Sequence, residues 1–443
     1  MSDAEARSIG PSRGPTAAGE AGPRVEVLSA RDVPLGGPRA MTVRRTLPQR
    51  ARTLIGAWCF ADHYGPDDVA ETGGMDVAPH PHIGLQTVSW LFSGEIEHRD
   101  SLGIHAFVRP GELNLMTGGN GIAHSEVSTP ATTVLHGVQL WVALPGEHRH
   151  TARAFHHHVP RPVALDGGEV RVFLGSLAGD TSPVPTFTPL LGAEVTLQPR
   201  ASVTLAVDER FEHGLLVDQG EVRLAGTPLG RSDLGYLGPG QATLSITNTT
   251  DGAARMILLG GPPFDEQIVM WWNFVGRAHD EIVRAREEWQ HASDRFGEVM
   301  GYDGDRLPAP ALPGVAIRPR RNPAPPNPER HAMATPAAPV VRRVEDKHRY
   351  EILVDGVLAG FTEYLDRDEQ RVFYHTEIGD AFAGQGLASR LVRQALTDVR
   401  DAGKRIVPVC PYVAGFLEKH DGFADITDPV TPDVRHWLRE ALH

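Results

Sequence analysis

The stretch that most constrains this chain is Ala78-Pro-His80-Pro-His82-Ile-Gly84-Leu-Gln86, answered about forty residues later by Thr117-Gly-Gly-Asn-Gly121-Ile-Ala-His124-Ser-Glu126. Each half carries two metal-ligating side chains at i and i+2. On a β-strand that spacing puts both on one face, because successive side chains alternate. Two such strands facing each other inside a small barrel converge His80, His82, His124 and Glu126 on one point. Three imidazoles and one carboxylate leave positions open on an octahedral ion, a set that suits Fe(II) and related divalent metals. A lone His-x-His is more often a polar pair on a solvent-facing strand. Here the second pair follows Pro110-Gly111 and a Gly-rich turn, the pattern of a second metal-bearing hairpin.

The flanking pattern agrees with a barrel. From Val25 to about Pro145 short apolar runs are broken by Gly and Pro, and Val88, Trp90 and Phe92 alternate with Ser89, Leu91 and Ser93. Cys59, inside Leu54-Ile-Gly-Ala-Trp-Cys-Phe60, reads as a buried, inert thiol. The histidines of Glu147-His148-Arg-His150 and His156-His157-His158 read as a charged, flexible connector and not as a second metal site. No carboxylate or thiol converges on them, and three consecutive histidines on a strand face both ways.

A second barrel is predicted from about Val163 to Gly261, with strands at 170–174, 194–197, 202–206, 213–217 and 255–259 and glycines at the turns. No paired His-x-His and His-x-Glu set recurs in it, so its role is structural or pocket-covering. A helix near Asp280 follows, with Ile282, Ala285 and Trp289 on one apolar face. Ten prolines between Pro308 and Pro339 then predict an extended, solvated linker.

Composition sets the outer bounds. A chain of 443 residues has room for about three domains, and 41% hydrophobic with 22% charged residues allows ordinary cores. The net charge of −13 argues against nucleic-acid binding over the whole surface. Two cysteines in different predicted domains make no disulfide framework and fit a reducing cytoplasm. No apolar run reaches the length of a membrane span. The first 24 residues, rich in Gly, Pro, Ala and Ser without an apolar core, read as a disordered tail and not a signal peptide.

From Val25 to Gly297 the chain resembles the pirin family, bicupin proteins with a mononuclear iron in the N-terminal barrel. The resemblance rests on Phe60-Ala-Asp62-His-Tyr64-Gly-Pro66, Gly94-Glu-Ile-Glu-His98-Arg-Asp-Ser101-Leu-Gly103, Pro110-Gly-Glu-Leu-Asn114 and Leu140-Trp-Val-Ala-Leu-Pro145, besides the paired ligands. By position the family's four ligands fall on His80, His82, His124 and Glu126. Many cupins place Glu shortly after His-x-His; this chain has Gln86 there, which leaves the carboxylate to Glu126. The resemblance implies a quercetin 2,3-dioxygenase-like activity, with a flavonol and dioxygen as substrates and His98, Arg99 and Gln86 as wall residues. It equally implies a non-catalytic alternative, a redox-responsive iron protein that binds transcription factors or metabolic enzymes.

Past the linker the pattern becomes a small α/β domain. Strands are predicted at 350–354, 356–364, 371–378 and 405–410, and a helix opens at Gly384-Gln385-Gly386-Leu387-Ala388 and runs to about Ala402, with a short helix over 413–420. Glycines at a strand-to-helix turn leave backbone N–H groups free to hold a pyrophosphate. The order resembles a minimal GNAT-superfamily acetyltransferase, the small YjdJ-like branch, through His375-Thr-Glu377, the Gly384–Ala388 loop and Pro408-Val-Cys410-Pro-Tyr412. That implies acetyl-CoA as cofactor. Ala383 stands where the usual loop has Arg or Gln. Cys410 is either a nucleophile, with His375 as its base, or a pocket wall. The expected layout is a tail (1–24), a metal-binding cupin barrel (25–150), a second barrel with its closing helix (151–300), a linker (301–339) and the acetyltransferase module (340–443).

Overall fold

In the computed structural model, which describes residues 23–35, 41–322, 339–354, 356–379, 382, 387–418 and 420–442, the chain divides into two compact units at Pro325. Each is described by itself.

The first unit is a pair of antiparallel barrels. Each barrel is a seven-stranded sheet facing a four-stranded one. In the first, the four-stranded sheet runs in the order Asp76–His82, Ile122–Ser128, Ile96–Asp100 and His105–Val108. The two strands that carry the candidate ligands are therefore neighbours, paired His124 to His80 and Ile122 to His82. Val88 and Trp90 lie in a core shared by the two barrels, with Trp58, Phe173, Leu216 and Ile257. Their alternation is what the sequence showed; the partner across the seam is the second barrel. Cys59 is fully buried, and burial pushes its thiol up to about 12, so it stays protonated.

The five strands read in the second barrel are present, at Gly168–Leu174, Leu191–Leu197, Ser202–Ala206, Glu212–Gln219 and Ala254–Gly261. The predicted apolar face is also found, on the helix His279–Gln290, where Ile282, Ala285 and Trp289 are the buried residues.

Three expectations need correction. His156-His157-His158 are not flexible connector: they form the strand Ala154–His158, hydrogen-bonded along Leu113–Thr117, and His157 Nδ1 meets Asn114 Oδ1 at 2.7 Å. A run of one residue type has no alternation to read, and the ladder decided. Glu26–Ser29 precedes the first barrel in sequence yet pairs with Asp233–Leu237 of the second. The proline-rich segment carries no helix as far as Asn322 and most of residues 308–322 are exposed, as a solvated linker would be, but it is not free: hydrogen bonds pin it to the barrels. The Leu307 amide donates to Pro79 O (2.9 Å), Arg320 and Ile268 exchange both backbone bonds, and Asn322 Oδ1 accepts from the Thr53 and Leu54 amides. Residues 323–338 and the tail up to residue 22 lie outside the described residues.

The second unit is a five-stranded sheet in sequence order, Val340–Val344, Arg349–Val354, Val357–Arg367, Gln370–Ile378 and Arg405–Pro408. The last pair is parallel, joined through the helix Leu387–Asp401, as parallel strands require a crossover. That helix buries the predicted Leu387, Leu391, Ala395, Leu396 and Val399. The strand Val340–Val344 and the helix Pro432–Ala441, capped by Thr431 on the Val434 amide, escaped the sequence reading. Among the described residues no helix is long and apolar enough to cross a membrane.

Candidate metal centre

The two ligand strands do more than align. Between the His124–His80 and Glu126–Val77 pairs the ladder skips one residue of Asp76–His82, at Ala78-Pro79. Proline has no N–H to donate, so a bulge there costs the ladder little. It frees the Ala78 carbonyl, which accepts the Nδ1–H of His80 at 2.9 Å. His82 Nδ1–H donates to Asn273 O at 3.1 Å, in the turn of the hairpin formed by Val269–Trp271 and Phe274–Gly276. With both Nδ1 atoms held by carbonyls, both Nε2 lone pairs point into the site, the usual way a ligating imidazole is oriented.

His82 Nε2 and His124 Nε2 stand 3.1 Å apart. The ligand atoms of His80, His82 and His124 all lie within 4.8 Å of one another, and Glu126 lies within that limit of His124 and His98. Exposure is 5% for His80, 1% for His82, 1% for His124 and 7% for Glu126. Burial holds the His80 imidazolium down to about 4 and those of His82 and His124 well below the ordinary range, and neighbouring imidazoles push the same way for His82 and His124. Three neutral imidazoles with convergent lone pairs are a ligand set awaiting charge. Burial also raises Glu126, opposed by the Ser89 hydroxyl, which donates to Oε1 at 3.1 Å. A divalent cation would reverse that shift; the three imidazoles fit such an ion, whereas Glu126 is grouped with His98 and His124 and not with His80 and His82.

His98 and Gln86, expected as walls, are both buried. His98 Nδ1 lies 3.3 Å from His124 Nδ1, and its Nε2 lies 3.3 Å from Asp100 Oδ2. With His124 Nε2 turned to the ligand point, the consistent tautomers run His124 Nδ1–H to His98 and His98 Nε2–H to Asp100. Gln86 Nε2 donates to Thr117 Oγ1 at 2.9 Å. Arg99 is elsewhere: adjacent residues on Ile96–Asp100 face opposite sides, and Arg99 pairs with Glu97 at 2.6 Å. Sequence reasoning missed Ser89, Asp100 and the Asn273 carbonyl. Ser89 carried a signal, since it sits on the opposite face of its strand from Val88 and Trp90; a backbone carbonyl carries none. Ser89→Ala is expected to weaken metal binding by about tenfold, up to a hundredfold, through the loosened Glu126. Equilibrium dialysis checks it, with the melting curve as a control.

In the second unit Cys410 is buried, its Sγ 3.3 Å from Thr376 Oγ1 and its amide bonded to Phe373 O. His375 is half exposed and faces Glu377 at 3.5 Å. Since His375 and Thr376 are consecutive on one strand, they face opposite sides, and the structure does not bring His375 to Cys410. Leu387 is buried at the start of its helix and Ala388 is half-buried; Gly384, Gln385 and Gly386 lie outside the described residues.

Two packed antiparallel barrels, the first holding this ligand set, define a bicupin. The sequence model of pirin matches residues 40–142 and that of the pirin C-terminal cupin domain residues 192–297. A Pseudomonas aeruginosa protein named "putative quercetin 2,3-dioxygenase" is 45% identical over 65% of this chain and 90% of its own length. A pirin-like protein of Caulobacter vibrioides is 35% identical over 64% and 98%. A crystal structure of quercetin 2,3-dioxygenase from Acinetobacter baumannii is 38% identical, covers 67% of this chain and 97% of that one, and superposes with a TM-score of 0.63. The chain belongs to the pirin family. It also carries a GCN5-related N-acetyltransferase module, matched over residues 349–426.

Proposed function

We propose that the first unit is a metal-dependent dioxygenase of the quercetin 2,3-dioxygenase type, acting on a flavonol or a related hydroxylated aromatic, with Fe(II) held by His80, His82, His124 and Glu126. The observation that carries this reading is the pinning of His80 and His82 through Nδ1, which aims their Nε2 atoms at a point shared with His124. When bound, a divalent ion supplies Lewis acidity to the substrate hydroxyl and brings substrate and dioxygen together. The chain's own residues do the rest. The carbonyls of Ala78 and Asn273 fix the ring planes, Ser89 fixes Glu126, and the His98–Asp100 pair holds the proton on His124 Nδ1. Aerobic incubation of the iron-loaded protein with quercetin, against His80→Ala and Glu126→Ala, tests this; the absence of metal-dependent turnover overturns it.

The near-complete enclosure of the four side chains favours a second reading, a regulatory protein that uses iron to sense redox state and binds a protein partner. The same assay separates the two, because only the first consumes the flavonol.

For the second unit the proposed role is acetyl-CoA binding and N-acetyl transfer, with the pyrophosphate at Gly384-Gln385-Gly386-Leu387-Ala388 and with Cys410 lining the pocket. Titration of the full chain with acetyl-CoA in a calorimeter is expected to show binding, weakened at least about tenfold by Gly386→Glu, whose carboxylate would oppose the phosphates at the helix N-terminus. No heat at high acetyl-CoA would leave this module without its cofactor.

A further inference from the structure

A second cluster of ligating side chains lies away from this centre, at the seam between the two barrels. His63 comes from the strand Trp58–Asp68 and His136 from its neighbour Val134–Ala143, both in the first barrel. Asp218 comes from Glu212–Gln219 in the second. His63 Nε2 and His136 Nε2 are 3.4 Å apart and both face Asp218 Oδ1, at 2.7 and 2.5 Å. The three residues are 0%, 7% and 1% exposed. We infer that His63, His136 and Asp218 form a second divalent-metal site, of the zinc or iron class, that ties the two barrels together.

Two of the three ligands have a partner behind them. His63 Nδ1 meets Ser232 Oγ at 3.1 Å, and Asp218 Oδ2 accepts from Arg255 Nε at 2.6 Å. Two imidazoles and one carboxylate are a recurrent ligand set for Zn²⁺ and Fe²⁺, with positions left for water. Metal–ligand bonds of about 2.0–2.1 Å put neighbouring ligand atoms about 3.0–3.4 Å apart. The two imidazoles already stand at that spacing, and the carboxylate has to withdraw by about half an ångström. Phe92, in ring contact with His136, and Arg255 both line a cavity of about 510 Å³ beside the cluster, though none of the three ligands lines it. The site is independent of the chemistry proposed for the first barrel and draws on none of its ligands.

The competing arrangement is a plain hydrogen-bonded cluster, in which both imidazoles donate to Asp218 Oδ1 and Arg255, 3.5 Å from His136 Nδ1, balances the charge. It holds no ion. Metal-stripped protein dialysed against micromolar Zn²⁺ and assayed for bound metal distinguishes them. Two equivalents are expected for the wild type, one for His136→Gln, one for Asp218→Asn and one for His80→Ala. Anomalous scattering at the zinc edge, from wild-type crystals grown with zinc, needs no variant and is expected to show a peak among His63, His136 and Asp218. A single equivalent in the wild type, two retained in His136→Gln, or no peak at the seam overturns the proposal.

Discussion

His82→Ala is expected to weaken metal binding by about a hundredfold or more and to remove metal-dependent turnover of quercetin. A buried site of this kind binds with roughly 10–16 kcal/mol in total; shared among four ligands, each supplies about 3 kcal/mol, or about a hundredfold. His82 should lie at the upper end. Its Nε2 stands 3.1 Å from that of His124, its Nδ1–H is spent on the Asn273 carbonyl, and its ring lies edge-on to Trp141 at 5.3 Å. Truncation therefore removes a ligand and leaves a part-buried carbonyl unpaired, which costs up to about 1 kcal/mol of stability besides. Glu126→Gln separates charge from shape, because the amide keeps an acceptor for Ser89 while the negative charge is lost. Iron per chain after dialysis against a weak chelator is the measurement. Undiminished iron in both variants would place the metal elsewhere in the molecule.

What the sequence made legible follows from which interactions are local. His80 with His82, and His124 with Glu126, are readable because strand geometry alone puts i and i+2 on one face. The helix His279–Gln290 was readable from Ile282, Ala285 and Trp289 for the same reason, with a different period. The bulge at Ala78-Pro79 was not, since a skip in a ladder depends on a partner more than forty residues away. The prolines before Asn322 announced an extended chain, but extension says nothing about whether the chain finds a surface; here Trp289 Nε1–H donates to Leu307 O and closes it down. Residue type alone left Cys410 as either a nucleophile, with His375 as its base, or a pocket wall. Strand alternation, applied to Thr376, separates His375 from Cys410. The seam was the least legible of all, because His63, His136 and Asp218 come together only once two barrels have closed and packed.

That seam is where the second large effect is expected. Trp58→Ala should destabilise the first unit by about 3–5 kcal/mol, the range for truncating a buried aromatic. Trp58 is fully buried in the core that both barrels share. Its indole N–H lies 3.1 Å from Leu191 O and 3.2 Å from Gly260 O, two residues paired across neighbouring strands of the second barrel. Alanine thus leaves a large void at the join and removes the donor that the first barrel sends into the second. Trp58→Phe keeps most of the volume and removes only that donor, so it should cost about 1–2 kcal/mol. The difference between the two variants isolates packing from hydrogen bonding. Urea unfolding followed by circular dichroism gives both numbers, with an unchanged slope as the check that cooperativity survives. A loss below about 1 kcal/mol for Trp58→Ala would mean that the barrels do not depend on each other for stability. A loss in the expected range makes the seam part of what holds the first barrel's strands in register. His80 and His82, both on the strand Asp76–His82 of that barrel, then keep their aim only while the second barrel stays packed against it.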